Sequence, residues 1–528
     1  MKFIVVTILA VLCTLCIKRH ECARILITIG TASYSHQITY TRLWLELAER
    51  GHDIVLIGTN YMNDLNGTNI TQIIVDSPRD FIDEMDFIGF RFKGISWITF
   101  NERIQGELGT ILSENVFENP AVKKLYAPNS NEKFDLVMAE LIWTPSLFAF
   151  AHRFNAPLIG LSSLAIPMFH EYLIGGLVLP SHESTWEMEK KVGSNLSFWQ
   201  RVQNYLIAWR SVYLSYRDQL LPQQTLAEKY LGKDIPPLQD IIANVSVVFA
   251  NQDEYIYPAR HKLPNVIPFS TLHISSNLPP MSKELKRFVD NAKNGFIYLN
   301  FGTNVKCSFL PNKIMQILLD VFTSLPYKLV WKCDKDLPVK SDNIFVLPWI
   351  PQQTILAHQN IKLFVYQGGL QSTEEAVHFA VPVLGLPVMA DQDYQVHRME
   401  ALGVGKWLEM TTLKADELRS VTLEMINNKM YKQNMLKLKN LTKDRPYDLT
   451  KHLAWWTEHV IRFKGATPLR SSVAKQPWYQ RNDIDIFMFL TIIAYIILLT
   501  AFSVLIKFTM YLHKRRQLSL LYEKKKTS

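Results

Sequence analysis

Residues 364–392 read FVYQGGLQSTEEAVHFAVPVLGLPVMADQ and decide the fold class of the chain. An apolar run ends at Tyr366, Gly368 and Gly369 form a tight turn, a helix begins near Gln371, and apolar residues return at Val381. This order of strand, turn, helix and strand predicts a parallel α/β unit. The exposed N–H groups and the dipole at such a helix start bind phosphate, and glycine lets a diphosphate approach the backbone.

The first turns of this helix carry polar side chains that suit a ligand. Gln371 and Glu375 are four residues apart and share one helix face, and Ser372 and Thr373 lie in the first turn. A carboxylate only accepts hydrogen bonds. Glu375 therefore suits the hydroxyls of a ribose better than the oxygens of a phosphate.

The same alternation of apolar runs and helical spacing occurs twice along the 528 residues, which is enough chain for two sizeable domains. Apolar runs lie at 25–29, 53–57, 134–139 and 157–161, and again at 296–301, 328–331, 344–347, 362–366 and 381–384. Four prolines within 263–280 indicate an interdomain linker. We predict an α/β protein with two facing Rossmann-like domains, and packed helices between 170 and 230 that line the cleft.

Both ends of the chain carry targeting patterns. Lys2, an apolar stretch at 3–17 and Glu-Cys-Ala at 21–23 form the layout of a secretory signal peptide, with a short signal-anchor as the alternative. Residues 486–506 are a continuous apolar run that can cross a bilayer, and basic residues from Lys507 onward place the tail in the cytoplasm. Lys525 and Lys526 resemble a dilysine retrieval signal, unless the tail is simply a solvated basic segment. We therefore predict a single-pass type I protein of the endoplasmic reticulum membrane, with both large domains in the lumen.

These patterns together give the predicted domain organisation. It consists of a signal peptide at 1–23, an N-terminal Rossmann-like domain at 24–262, a linker at 263–283, a C-terminal Rossmann-like domain at 284–450, C-terminal helices and a juxtamembrane segment at 451–485, a transmembrane helix at 486–506 and a tail at 507–528.

Composition and charge exclude several classes of protein. With 48% hydrophobic and 20% charged residues the chain is neither disordered nor a disulfide scaffold. Of the net charge of +9, +6 lies in the tail from Lys507 and +2 lies before Arg24, so the remainder is close to neutral and nucleic-acid binding is unsupported.

The cysteines and the glycosylation sequons are candidate sites of covalent modification. Outside the signal region the cysteines that remain are Cys307 and Cys333, and they can pair or stay free. The sequons at Asn66, Asn69, Asn195, Asn244 and Asn440 are candidate glycosylation sites.

Residues 364–392 also resemble the signature of the UDP-glycosyltransferase family. The matching residues are Phe364, Gly368, Gly369, Thr373, Glu375, Pro382, Pro387, Asp391 and Gln392. Trp349 to Gln352 with His358, the loop at 301–303 and Ser35-His36-Gln37 match further family segments, and the whole pattern looks closest to the insect and baculoviral members. The resemblance implies the GT-B fold, in which the second domain binds a UDP-sugar and the first binds an acceptor.

The resemblance implies a set of donor contacts. Trp349 would stack on uracil, Gln352 would hydrogen-bond near it, and Glu375 would hold the ribose. The diphosphate would be contacted by Thr303, Gln371, Ser372 and the backbone of Gly368 and Gly369. Asp391 and Gln392 would contact the sugar. Gln367 replaces a histidine found in many members, so one charge-assisted contact to the diphosphate is lost. No metal or other cofactor is implied beyond the co-substrate, for which UDP-glucose is expected.

His36 and Glu140 are the candidate catalytic pair. His36 follows the first strand, at the edge where parallel sheets bind ligands, and a neutral imidazole can accept a proton. The resemblance implies that His36 is the general base for an inverting transfer of a hexose to a hydroxyl of a small lipophilic acceptor. A general base typically increases the reaction rate by a factor of about 10²–10⁴. The family places an aspartate after the fourth strand where this chain has Glu140, which is one methylene longer and implies a shifted geometry.

Alternatives remain open at this stage. Asp391, Gln392 and Asp393 also spell the Asp-x-Asp motif of metal-dependent glycosyltransferases. The departures at Gln367 and Glu140 keep open a lipophilic-ligand carrier without turnover. The donor could carry glucuronate instead of glucose, and a homo-oligomer is not excluded.

Overall fold

A computed structural model describes residues 22–63, 65–76, 85–179, 185–188, 196–338 and 341–527. The predicted signal peptide, apart from its last two residues, and the predicted glycosylation site Asn195 lie outside these residues. The chain forms two compact units, Met1–Ser471 and Ser472–Ser528.

The first unit contains a seven-stranded sheet in which every pair of neighbouring strands is parallel, in the order β3-β2-β1-β4-β5-β6-β7. Its strands are β1 Arg24–Thr28, β2 Asp53–Gly58, β3 Ile70–Ile74, β4 Leu136–Glu140, β5 Leu158–Ser162, β6 Val247–Asn251 and β7 Val266–Phe269. Aliphatic runs buried on both faces are what such a parallel sheet requires.

Helices cover the faces of this sheet. They are α1 Tyr34–Ile38, α2 Thr41–Glu49, α3 Phe87–Phe92, α4 Trp97–Glu118, α5 Pro120–Tyr126, α6 Ala149–Arg153, α7 Met168–Leu173, α8 Phe198–Leu214, α9 Leu221–Leu231 and α10 Leu238–Ala243. A π-helical segment, Ser215–Leu220, connects α8 to α9.

A second sheet of six parallel strands follows, in the order β10-β9-β8-β11-β12-β13. Its strands are β8 Phe296–Asn300, β9 Lys328–Lys332, β10 Ile344–Leu347, β11 Ile361–Tyr366, β12 Val383–Gly385 and β13 Gly405–Trp407. Its helices are α11 Lys283–Asp290, α12 Asn312–Ser324, α13 Gln352–Leu356, α14 Leu370–His378, α15 Gln392–Ala401, α16 Ala415–Asn427 and α17 Lys429–Lys443. The prediction of two Rossmann-like halves is confirmed.

The last helix of the first unit returns to the first sheet. This helix, α18 Leu449–Arg462, packs against α2, and its buried Leu453 and Val460 share a hydrophobic core with Leu43 and Trp44. The chain therefore crosses between the two halves twice, at the linker and before α18.

The predicted linker begins too early. Its first part forms β7, which extends the first sheet by pairing with β6, with Val266 opposite Val248 and Pro268 opposite Ala250. Proline lacks a backbone N–H but is tolerated on an edge strand, so the prolines that indicated a linker do not prevent this pairing. The connection between the halves therefore starts after Phe269.

The strand orders fix where ligands can bind. In the first sheet the connections leave β1 and β4 in opposite directions, and in the second sheet β8 and β11 are placed in the same way. A crevice forms at the carboxyl ends of strands at such a switch point. His36 and Glu140 lie at the first of these crevices, and Thr303 and Gln367 lie at the second.

Cys307 and Cys333 form a disulfide, which answers the question that the sequence left open. Their Cα atoms are 5.2 Å apart, and 26 positions separate them along the chain. The bond ties the segment after β8 to the residue that follows β9. It therefore constrains the loop that carries Thr303.

The second unit is dominated by one long helix. It contains α19 Trp478–Arg481 and the 44-residue α20 Ile484–Thr527, whose most apolar window has a mean hydropathy of 2.6. By length and composition α20 is a candidate membrane span, and it includes the predicted transmembrane residues 486–506.

We expect the disulfide to stabilise the first unit. Replacing Cys307 and Cys333 together by alanine should lower the free energy of unfolding by about 3 kcal/mol, because the bond restricts the unfolded chain. The measurement is urea unfolding of the detergent-solubilised full chain, with and without reductant. Reductant should weaken the wild type and leave the double variant unchanged, whereas equal stability of all four samples would contradict the bond.

Candidate active site

A cavity of about 460 Å³ lies where the carboxyl edges of the two sheets meet. Residues from both Rossmann-like halves line it, among them His36 from the first and Gln367, Glu375 and Asp391 from the second. This volume falls in the range of small-molecule binding sites.

His36 projects from α1, a single helical turn, and not from the open loop that the sequence predicts. Its Nδ1 atom lies 3.2 Å from Glu140 Oε1 and 2.8 Å from Ser163 Oγ. The structure therefore brings together the two residues of the predicted catalytic pair.

Glu140 is the last residue of β4 and only 1% exposed. A buried carboxylate requires hydrogen-bond donors, and Thr31 supplies two, with its backbone N at 3.2 Å and its Oγ1 at 2.9 Å from Oε2. Because the carboxylate can only accept, it favours the His36 tautomer that carries hydrogen on Nδ1. The Nε2 lone pair of His36 is then free to take a proton.

Ser163 is a site residue that sequence reasoning missed. It follows β5, the strand next to β4, and its hydroxyl contacts His36 Nδ1. The rule that placed His36 at a ligand-binding edge, the carboxyl end of a parallel strand, applies equally to β5 and could have found Ser163.

Two glycines in the wall of the cavity formed by the second half of the molecule are required by their surroundings. Gly302 has φ +85°, and a Cβ atom there would lie 2.1 Å from Gln367 Nε2. Gly368 has φ +98°, and a Cβ atom would lie 2.6 Å from Val396 Cγ1. At Gly369 a Cβ atom would make an ordinary contact of 3.5 Å, so the tight turn depends on Gly368 and the second glycine leaves open space at the start of α14.

Gln352 orients neighbouring polar side chains of the second half through its side-chain amide. Its Nε2 donates to Glu375 Oε2 at 2.7 Å and to Ser372 Oγ at 2.9 Å, and its Oε1 accepts from Asn300 Nδ2 at 2.6 Å. This amide therefore orients Glu375 and Ser372. The hydrogen bond expected between Gln352 and the uracil stays a prediction.

Gln353 and His273 also hold Glu375 and were missed in the sequence. Gln353 Nε2 donates to Glu375 Oε1 at 2.9 Å, and His273 Nε2 lies 3.4 Å from the same oxygen. Burial acts to lower the pKa of His273, but Glu375 and Glu374 outweigh it and the pKa is raised. Burial raises the pKa of Glu374 to about 7. His273 lies in the segment interpreted as a linker, which concealed its role.

Lys332 and Trp349 line the cavity on the side of the second half of the molecule. The Trp349 indole is 59% exposed, and Lys332 Nζ lies 4.6 Å from the centre of its ring. The same Nζ donates to the carbonyl of Gly302 at 2.7 Å. Burial lowers the pKa of Lys332 to about 8, and Asp334 partly opposes this shift. No motif in the sequence pointed to Lys332.

Gln371 reaches across to the first half of the molecule. Its Nε2 donates to Thr39 Oγ1 and to the carbonyl of Ser163, both at 3.2 Å. The contact of Gln371 with a diphosphate stays a prediction, and the structure adds that its amide hydrogens bridge the two halves.

Asp391 and Gln392 lie at the start of α15, beside the cavity. Asp391 is 6% exposed, and its Oδ2 has no hydrogen-bond partner among the described residues. Burial raises the pKa of Asp391 to about 6, against the effects of backbone hydrogen bonding and of His36. Gln392 Oε1 accepts from the backbone N–H groups of Val388 and Met389, so its amide nitrogen is left for a ligand.

The second carboxylate of the Asp-x-Asp sequence is occupied by an arginine. Arg91 of α3 makes two hydrogen bonds to Asp393, of 2.6 and 2.9 Å, and also pairs with Glu409 at 2.7 Å. Asp391 faces the cavity while Asp393 holds the first half of the molecule. The two carboxylates therefore serve different partners, which weighs against their sharing a metal ion.

The wall of the cavity formed by the first half of the molecule is largely aromatic and aliphatic. Its apolar lining includes Met85, Phe87, Trp97, Phe100, Ile142, Leu164, Phe169 and Trp186. The prediction that helices between 170 and 230 line the cleft is largely wrong. Helix α9 packs on α4 and the 3₁₀ turn Pro145–Phe148, and α8 contacts the π-helical segment, α4 and α7. From that range only His170, Trp186, Glu187 and Ser215 reach the cavity among the described residues.

Comparisons with known proteins identify the family. A family model described as UDP-glucoronosyl and UDP-glucosyl transferase matches residues 24–518. UDP-glycosyltransferase UGT4 of Dactylopius coccus is 28% identical over 489 residues, which cover 90% of this chain and 93% of that protein. An ecdysteroid UDP-glucosyltransferase of Mamestra brassicae nuclear polyhedrosis virus is 29% identical over 466 residues, which cover 85% of this chain and 87% of the relative.

The fold is also shared with solved glycosyltransferases. The crystal structure of the glycosyltransferase VinC in complex with DTDP has a TM-score of 0.55 at 13% identity, covering 83% of this chain and 100% of that chain. This similarity confirms the GT-B arrangement of two Rossmann-like halves. The chain belongs to the UDP-glucuronosyl and UDP-glucosyl transferase family, as residues 364–392 predict, and is a glycosyltransferase that uses a UDP-sugar.

Proposed function

We propose that this enzyme transfers glucose from UDP-glucose to a hydroxyl of a small lipophilic acceptor, with inversion at the anomeric carbon and with His36 as the general base. The observation that carries the proposal is the contact of His36 Nδ1 with the buried Glu140, at the edge of a cavity that is apolar on one side and polar on the other. A viral relative is an ecdysteroid UDP-glucosyltransferase, which is consistent with a neutral sugar and a lipophilic acceptor.

The reaction follows from the arrangement of these groups. His36 Nε2 takes the proton of the acceptor hydroxyl as that oxygen forms a bond to the anomeric carbon, and the bond from this carbon to the diphosphate oxygen breaks, releasing UDP. Glu140 stabilises the imidazolium that forms, and acts as a positioning residue because it touches the base and not the sugar. Attack from the face opposite the leaving group converts an α-linked donor into a β-glycoside.

The second half of the molecule supplies the donor contacts in this proposal. The diphosphate lies at the start of α14, where backbone N–H groups and the Ser372 hydroxyl face the cavity, with Thr303 and Gln367 opposite. Lys332 provides the positive charge that Gln367 lacks. Glu375 binds the ribose and Trp349 stacks on the uracil.

Asp391 favours glucose over glucuronate. With a pKa of about 6, its carboxyl is largely ionised at neutral pH and would repel the carboxylate of a glucuronate placed beside it. The amide nitrogen of Gln392 and the carboxylate of Asp391 together offer a donor and acceptors for sugar hydroxyls.

Location in the endoplasmic reticulum membrane, with the first unit in the lumen, is part of the proposal. It is supported by the Cys307–Cys333 disulfide, since such bonds persist in oxidising compartments. It is also supported by the candidate span α20 with its basic end, and by exposed side chains at the sequon residues Asn66, Asn69 and Asn440.

Product analysis tests the proposed activity. Detergent-solubilised full chain is incubated with UDP-glucose or UDP-glucuronate and a panel of phenols and steroids, and products are identified by mass and by the anomeric coupling in NMR. The expected product is a β-glucoside. A glucuronide would overturn the donor assignment, and acceptor binding without release of UDP would favour a carrier.

Replacing His36 by alanine should lower kcat by about 10²–10⁴, because the base is removed. The matched control is His152→Ala, at an exposed histidine on α6, which should leave kcat unchanged. Full turnover by His36→Ala would rule out this residue as the base.

Replacing Lys332 should change how donor use depends on pH. In the wild type, kcat/KM for UDP-glucose should fall as pH rises above about 8, because the ammonium loses its proton. Lys332→Met should raise KM for UDP-glucose by about 10- to 150-fold and abolish this alkaline fall, since a charge-assisted contact of about 1.5–3 kcal/mol is lost. Lys332→Arg should shift the fall to higher pH. An unchanged alkaline profile in Lys332→Met would contradict the role of this residue.

A further inference from the structure

The acceptor side of the cavity contains a buried histidine that the proposed reaction does not use. His170 lies on α7, is 1% exposed and lines the cavity. Neither of its ring nitrogens has a hydrogen-bond partner in the described part of the chain. The imidazole packs against the ring of Phe169 in a T-shaped arrangement, with 5.6 Å between the two ring centroids.

This histidine is uncharged. Burial lowers the pKa of His170 to about 3, so at neutral pH the ring offers one N–H donor and one nitrogen acceptor. Leaving buried polar groups unpaired costs free energy, and most buried polar side chains are paired for that reason. An unpaired donor and acceptor in the wall of a ligand cavity therefore point to a partner that arrives with the ligand.

Glu187 lies in the same wall and fixes the helix that carries His170. Its Oε2 accepts from the backbone N–H of Met168, the first residue of α7, at 2.8 Å. Burial raises the pKa of Glu187 to about 7, so this carboxyl is partly protonated at neutral pH and can both donate and accept. The surrounding lining, which includes Trp97, Phe100 and Trp186, is aromatic.

We propose that His170, together with Glu187, forms a second hydrogen-bonding subsite that selects acceptors carrying an uncharged polar group, a hydroxyl in the first place, at a position other than the hydroxyl that receives the sugar. The inference rests on the proposed function, because it concerns the acceptor of that reaction. Neither nitrogen of His170 bonds to His36 or Glu140, so this subsite is separate from the general base.

The chemistry of the subsite favours a hydroxyl over charged groups. A neutral imidazole cannot form an ion pair with a carboxylate, and Glu187, when ionised, would repel one. A hydroxyl donates to the ring nitrogen and accepts from the ring N–H or from the protonated carboxyl. A site built to hydrogen-bond a hydroxyl discriminates against the analogue that lacks it, because its own polar groups are then left unpaired.

The test compares two acceptors that differ in one remote hydroxyl, a steroid diol and the matching mono-ol. The wild type should use the diol with a kcat/KM at least about tenfold higher, mainly through a lower KM. His170→Phe should abolish this preference by raising KM for the diol, while turnover of the mono-ol is kept or improved. His170→Gln, which retains a donor and an acceptor, should restore part of the preference.

Control measurements separate polarity from shape and folding. Phe169→Leu changes the cavity wall without changing its polarity, and should affect both acceptors to a similar extent. Thermal unfolding of each variant reports on folding, and quenching of tryptophan fluorescence by each acceptor, without UDP-sugar, reports binding alone.

An unchanged preference for the diol in folded His170→Phe, in both turnover and binding, would overturn the subsite. If the wild type transferred no sugar to any acceptor, the proposed function would fail. The subsite would still be supported in that case by tighter binding of the diol that His170→Phe loses.

Discussion

The contact between His36 and the buried carboxylate of Glu140 is the interaction on which the proposed function depends. A carboxylate at the end of β4 that is removed from water must be surrounded by donors, and Thr31 and His36 are those donors. Its charge favours the tautomer of the imidazole that leaves Nε2 free, and in the proposed reaction this atom is the base. The parallel order of β1, β4 and β5 is what brings these groups to one edge.

The second half of the molecule completes the site by the same topological rule. Its switch point between β8 and β11 presents two loops whose backbone approach requires Gly302 and Gly368. Contacts that cross between the halves keep the two edges facing one cavity: Gln371 donates to the Ser163 carbonyl, and Arg91 holds Asp393. Ser163, which contacts His36, and Asp393, which lies two positions after Asp391, therefore hold the two halves together.

The sequence predicts what depends on local pattern. Alternating apolar runs and helical spacing predict both sheets, and the end of the first strand places His36 at a ligand-binding edge. The pairing of His36 with Glu140 is predicted only from the family resemblance. The sequence misses what depends on partners far away in the chain. Nothing local shows that Gln371 bridges the halves, that Lys332 reaches the Gly302 carbonyl, or that the prolines around Val266 lie on an edge strand.

The account is tested most directly by a double-mutant cycle on kcat for the transfer of glucose, with His36→Ala, Glu140→Ala and the double variant. If Glu140 acts only through the imidazole, its removal should cost nothing further once His36 is gone, so the double variant should match His36→Ala. Losses that multiply, with the double variant slower than His36→Ala by the whole factor seen for Glu140→Ala alone, would contradict the pairing of these two residues.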